Sequence, residues 1–179
     1  MSIPSGPDPA KLVIGIYTGH KELFEPIAEE LSGLYGNTDT ISDWLNFDRT
    51  DYYEAEMGSP LFRRMVSYGT LIHQEDLSDI KLRTNEIEKK YTVFGRRRVN
   101  IDPGYMLLSR FILATGKDFS HRVYIGKGIY ADLTLTYKNG SFRTLPWTYP
   151  DYADTVMISY LQNVREKYAC DLKERRDAL

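Results

Sequence analysis

Leu12-Val13-Ile14-Gly15-Ile16-Tyr17 is a short, nearly all-apolar run closed by Thr18-Gly19, which predicts a central strand buried on both faces. Leu23, Ile27, Leu31 and Leu34 then recur at helical spacing between Lys21 and Tyr35, and Gly36 supplies the stop. Residues 40–48, with Ile41, Trp44, Leu45 and Phe47, predict a second strand; 48–60 reads as a long polar loop and 61–72 as a strand without a clean period. From Glu75 to Tyr91, Leu77, Ile80, Thr84, Ile87 and Tyr91 share one face with Lys and Glu opposite, an amphipathic helix.

Val99 to Tyr105 begins as a strand and is expected to end in a turn, because Pro103 fixes φ and Gly104 tolerates positive φ. Residues 106–115 carry no single pattern. Arg122–Ile125 predicts a strand that turns through Gly126-Lys127-Gly128 into Ile129–Lys138, where Ile129, Ala131, Leu133, Leu135 and Tyr137 alternate with polar neighbours as in a half-buried strand. Asn139-Gly140 is the preferred pair of a type I′ hairpin turn, with Ser141–Leu145 returning. Tyr152–Tyr168, with Val156, Tyr160, Leu161 and Val164 on one side, predicts a terminal helix.

This order predicts an α+β fold: a ferredoxin-like βαββαβ sandwich with a mainly antiparallel sheet, extended by a C-terminal β-hairpin and a terminal helix. A doubly wound parallel sheet would need more crossover helices than the second half supplies. The proline-rich start, residues 1–10, reads as a flexible arm and residues 11–179 as one domain, a size at which neither metal nor disulfide is needed for stability. One cysteine, Cys170, and no export segment point to a reducing, cytoplasmic setting; no apolar run approaches the ~20 residues of a membrane span.

Charge is unevenly placed. Residues 1–80 hold 5 Lys and Arg against 14 Asp and Glu, residues 81–127 hold 11 against 4, and residues 128–179 hold 7 against 7. The basic middle, with Arg96, Arg97, Arg98, Arg110, Arg122 and Lys127, binds phosphate if folding gathers those cations, or else pairs with the acidic first part.

Six segments carry a resemblance. Asp51–Gly58, Lys81-Leu82-Arg83-Thr84-Asn85, Arg97–Tyr105, Lys117–Arg122, Gly126–Ala131 and Leu145–Tyr152 together resemble the prokaryotic family called domain of unknown function 4416, over about Lys11 to Tyr168. The resemblance implies a compact cytosolic bacterial or archaeal protein and brings no activity or catalytic residue with it. There is no G-x-x-x-x-G-K-[ST] phosphate loop, and Gly126-Lys127-Gly128 is too short to form one.

Two residues are candidate acid–base groups. Asp102 precedes Pro-Gly beside three arginines, where a carboxylate can serve as a base or simply hold a turn. His121 lies in Asp118-Phe119-Ser120-His121-Arg122, the densest cluster of polar chemistry around any of the three histidines, with the alternative of a surface imidazole beside a capped loop. No G-x-S-x-G elbow accompanies it, which excludes a hydrolase triad. Arg97, Arg98, Arg122 and Lys127 are the candidate anion ligands, with Tyr105 and Tyr130 packing against the bound molecule. Asp51, Glu54 and Glu56 match no calcium loop and read as a solvated acidic stretch. Scattered histidines and one cysteine argue against structural zinc.

The expected function is the binding of a phosphorylated small molecule or nucleotide where the strand ending at Asp102 meets the segment His121–Tyr130. Alternatives are an RNA-binding sheet, weakened by missing ribonucleoprotein motifs and slight negative charge, and a protein-interaction subunit anchored by Trp147, Tyr149 and Tyr152. No cofactor is named by the sequence.

Overall fold

A computed structural model describes residues 1–48 and 54–178. Strand β1 (Ala10–Thr18) is buried at all nine positions. It is followed by α1 (Phe24–Tyr35), β2 (Thr38–Ile41), β3 (Leu45–Asn46), the one-turn helix α2 (Glu54–Met57) and β4 (Phe62–Ile72). Helix α3 (Leu77–Lys90) leads through a small hairpin of β5 (Thr92–Val93) and β6 (Arg96–Arg97) to β7 (Val99–Leu107). The chain continues with β8 (Arg110–Thr115), β9 (Arg122–Gly126), β10 (Ile129–Lys138), β11 (Ser141–Thr144) and α4 (Thr155–Asp177).

The fold is α+β, as its alternating periodicities predict. Among the described residues the main sheet has nine strands, all paired antiparallel, in the order β11-β10-β8-β7-β1-β4-β2, with β3 on β4 and β9 on β10. Both faces are covered. Arg64, opposite Ile16, lies over the Phe24 ring of α1 at 4.6 Å. Lys11 points to the other side, where its ammonium sits 2.6 Å from Asp171 on α4 and 2.6 Å from Asp39 on β2. A fully buried lysine on the central strand is tolerated because two carboxylates meet it. The pair also fastens the far half of α4 across the sheet. Among the described residues no helix is long and apolar enough to cross a membrane.

Several local expectations hold. Asn139 and Gly140 have φ of 52° and 79°, both positive as a type I′ turn requires, and Lys138 pairs with Ser141 around them. Gly126-Lys127-Gly128 turns β9 into β10 as expected. Four expectations need correction. The strand expected over 40–48 is two short pieces, because the Ser42 hydroxyl takes the Met65 N–H at 2.9 Å and interrupts the edge. The terminal helix starts at Thr155, where the Asp154 carboxylate accepts the Val156 N–H at 2.9 Å. That start turns Met157, Leu161, Val164, Tyr168 and Leu172 inward and leaves Val156 exposed. On α3, Lys81 and Glu88 are buried rather than solvated.

The fourth correction shapes the site. Asp102-Pro103-Gly104-Tyr105 is not a turn: β7 runs straight through it to Leu107. Pro103 lies opposite Ile14 of β1, and the missing proline N–H falls on the edge facing β8, whose ladder with β7 begins only at Gly104–Leu113. A Cβ on Gly104 would stand 2.3 Å from the Ile112 carbonyl oxygen, so the backbones of β7 and β8 meet there at a distance only glycine permits. Two opposite effects follow from adjacent residues. Gly104 pulls β8 in, and Pro103 ends the pairing.

Gly104→Ala should cost about 1–3 kcal/mol, seen in urea unfolding, because a rigid backbone oxygen must move. Gly33→Ala, on the exposed side of α1 with nothing within 4 Å, should instead gain about 0.5–1 kcal/mol. A second expectation concerns acid. Burial opposes ionisation of Asp39, but the ammonium groups of Lys11 and Lys167 outweigh it and hold its carboxyl below the ordinary range. A depressed folded-state value gives stability that is present above the unfolded value, about pH 4, and is lost as pH falls through the lower one. The stability difference between wild type and Asp39→Asn should therefore shrink as pH drops below about 4; a difference that stays constant to the acid unfolding limit would contradict the assignment.

Candidate functional site

Beyond Gly104 the sheet forks. β8 stays with β10, pairing Ala114 with Ala131 and Thr115 with Tyr130, while β7 stays with β1. The freed edge of β7 is completed by side chains of α3. The Ile101 N–H donates to Glu88 Oε1 at 2.7 Å, and the Ile101 carbonyl accepts from Lys81 Nζ at 2.8 Å. Lys81 and Glu88 stand two helical turns apart, so one helix face presents a donor and an acceptor to one strand residue.

The fork opens a cleft of about 730 Å³. Its α3–β7 wall carries Lys81, Asn85, Arg97, Asn100 and Asp102. Arg97 grips both oxygens of Glu56 at 2.8 Å and reaches Glu88 at 2.7 Å and Asn100 Oδ1 at 2.9 Å. Asp102 accepts from Asn100 Nδ2 at 2.8 Å and from Lys81 at 3.2 Å. The Asn85 side chain makes no hydrogen bond among the described residues and lines the cleft.

The opposite wall is β8, β9 and β10. Arg122 Nε donates to Asp132 Oδ2 at 2.9 Å, and its other nitrogens hold the Lys117 carbonyl at 3.0 Å and the Tyr149 hydroxyl at 2.7 Å. Phe119 and Tyr149 stand exposed at the rim, and the Arg122 guanidinium lies 5.5 Å from the Phe119 ring centre. Asp132 and Thr134 are buried, so the polar side of β10 faces the protein rather than water as a half-buried strand would. The floor is Tyr17, Asp151 and Tyr152. Arg63, buried behind it, pairs with the Asp151 carboxylate and donates to the Tyr17 hydroxyl at 3.4 Å. Burial holds the Tyr17 and Tyr152 hydroxyls protonated far above their usual range and pushes the Asp151 carboxyl up, against the pull of Arg63.

Of the eight expected site residues, the cleft brings together Asp102, Arg97 and Arg122. His121 stands outside its lining. Its ring stacks on Trp147 with centres 5.0 Å apart, and Nε2 lies 3.3 Å from the Asp132 oxygen that Arg122 also holds. His121 and Arg122 thus converge, but on a protein carboxylate. Arg98 contacts His20 Nδ1 at 2.9 Å, Lys127 pairs with Asp79, Tyr130 packs edge-on against Tyr124, and Tyr105 is buried within β7. Among the described residues the basic middle segment meets the acidic first part in four ion pairs: Lys90–Glu30, Arg97–Glu56, Arg98–Glu22 and Lys127–Asp79. Among the three aromatic anchors, Trp147 donates to the Leu133 carbonyl at 2.8 Å, Tyr152 is buried, and Tyr149 alone is exposed. Asp51, Tyr52 and Tyr53 and the Glu54 side chain lie outside the described residues. Among the described residues no three His, Cys, Asp or Glu side chains converge as metal ligands.

A domain of unknown function, DUF4416, matches residues 8–168, which takes in both walls and the floor of the cleft. The chain belongs to the DUF4416 family. No curated protein and no solved structure matches it. In this DUF4416 protein the cleft also holds Lys81, Asn85, Asn100, Asp132 and Asp151, none of them expected from the sequence. A signal existed for two of them: Lys81 and Asn85 are one turn apart and follow the inward Leu77 and Ile80 on α3.

The walls differ from the surface in what they tolerate. Asp132→Ala should cost about 3–5 kcal/mol, because the buried Arg122 would be left without its carboxylate. Arg98→Ala, losing partly exposed partners, should cost less than about 1 kcal/mol. Equal losses in urea unfolding would contradict the difference in burial.

Proposed function

We propose that this DUF4416 protein binds a phosphorylated small molecule, nucleotides included, in the forked cleft. The observation that carries the reading is the cleft itself. A volume of about 730 Å³ suits a ligand of nucleotide size, and its lining combines cations from several elements with aromatic rings at the rim. Arg122 has N–H groups left to give, and Lys117, Phe119 and Tyr149 surround it. A phosphate resting on Arg122 would leave the rest of the ligand in the cleft, whose lining includes Asp102 and not His121.

The proposed scaffold is a ferredoxin-like core. Its support is the interleaving of the units β1-α1-β2 and β4-α3-β7, each split by a strand of the other, in the order β7-β1-β4-β2. An RNA-binding sheet needs an open face of aromatics. The burial of β1 between α1 and α4 weighs against that alternative.

The test is a thermal-shift screen of nucleotides, sugar phosphates and short RNA. A ligand at a hundredfold excess over its dissociation constant contributes about 2.7 kcal/mol, which raises the Tm of a protein this size by about 5–10 °C. Asn85→Ala should weaken that ligand roughly 3- to 10-fold, whereas Lys127→Ala should not change it. A shift produced by RNA alone, or one insensitive to Asn85, would overturn the reading.

A further inference from the structure

We infer that the ligand enters with a hydrogen-bond-donating amino or ammonium group directed at Asp102 and Asp151, and keeps its phosphate at Arg122. This rests on the phosphate reading above and adds the chemistry of the ligand's other end. The two walls differ in the hydrogen bonds they leave unspent.

On the α3–β7 wall the cations have little left to give. The Lys81 ammonium meets the Ile101 carbonyl at 2.8 Å and Asp102 at 3.2 Å, and lies 3.8 Å from Glu88. Arg97 uses four hydrogen bonds on Glu56, Glu88 and Asn100 from its five N–H groups. The Asn100 amide gives to Asp102 and receives from Arg97. What remains unspent here is acceptor capacity. An ionised carboxylate accepts about four hydrogen bonds, and Asp102 receives two, from Lys81 and Asn100. Asp151 on the floor receives Arg63 from behind and lies within electrostatic reach of Asp102, which raises its cost of ionisation further. Two carboxylates line one cavity, Asp102 with acceptor positions left open and Asp151 held by an arginine outside the lining, which leaves a place for donors from the ligand.

The other wall has the opposite balance. Arg122 uses three of its five N–H groups, on Asp132, the Lys117 carbonyl and the Tyr149 hydroxyl. The remaining two suit a phosphate. A phosphate without a donor group at its other end would satisfy Arg122 and leave the open acceptor positions of Asp102 unpaired; an amino-bearing one satisfies both walls. Asn85, which can give and accept, is compatible with either end.

The experiment is calorimetric titration of the full-length protein with matched probes: glucosamine 6-phosphate against glucose 6-phosphate, adenosine against inosine 5′-monophosphate, and the same compounds without phosphate. In a pair that binds, the amino member should bind about tenfold or more tighter, the scale of a hydrogen bond to a charged group. Asp102→Asn should cut that preference to about threefold or less while leaving the gain from phosphate in place. The wild-type pairs decide the matter even if the variant does not fold. Phosphorylated probes that bind equally with and without the amino group would overturn this inference and leave the phosphate reading standing. Amino probes that bind equally with and without phosphate would overturn the phosphate reading and with it the phosphate at Arg122, leaving only the amino group at Asp102. No binding by any probe would overturn both.

Discussion

One strand residue organises the molecule's functional half. The Ile101 N–H and carbonyl point away from β1 into the fork, where a neighbouring strand would normally complete them, and a buried peptide group left unpaired there would cost several kcal/mol. Glu88 and Lys81 complete it instead. Because α3 supplies both bonds, β8 is free to leave β7 and follow β10, and the space between them becomes a cleft rather than a continuous sheet. The helix does in the fork what a strand does elsewhere in the sheet.

That substitution fixes the chemistry of the cleft. Bringing an ammonium and a carboxylate to a buried strand edge requires partners for both, and Asp102, Asn100 and Arg97 provide them. Arg97 in turn reaches Glu56 across the chain. The wall is therefore a network whose donors are consumed by its own acceptors, facing a second wall where Arg122, held by Asp132 and backed by His121 stacked on Trp147, keeps donors in reserve. The sheet beneath is rigid in composition: β1 is buried throughout, and the Lys11 ion pairs bind α4 over it. A polar site on such a base is preorganised, which favours selective recognition of a small ligand.

The elements were legible where local pattern and tertiary environment agree. The apolar run of β1, the Asn139-Gly140 turn and the helical periodicity of α3 each specify one outcome, and each is realised. Asp102-Pro103-Gly104-Tyr105 shows the contrary case. Its residues favour a turn locally, yet β1 on one side and the close approach of Ile112 on the other draw it into a strand. Its proline then ends the pairing with β8. The site was legible in part: Asp102, Arg97 and Arg122 stood out as charges near a strand end. Asp132 read as the solvent side of an alternating strand, and Lys81 and Glu88 as the solvent side of a helix, because periodicity cannot reveal that a polar face is buried against a cavity. Asp151, from a turn-rich segment before α4, reaches the floor only through Arg63 on β4. His121 was conspicuous for its neighbours in sequence, but folding spends it on Trp147 and Asp132.

Side chains of α3, rather than a strand, complete β7 at the fork, and amide hydrogen exchange at Ile101 in wild type and in Glu88→Ala tests this. The account predicts slow exchange in wild type and a selective loss of protection at Ile101 in the variant, with the β1-paired amides of β7 still protected. Equal protection of Ile101 in both proteins would mean that another strand or a closed sheet holds that amide, and the fork on which the cleft depends would not exist in solution.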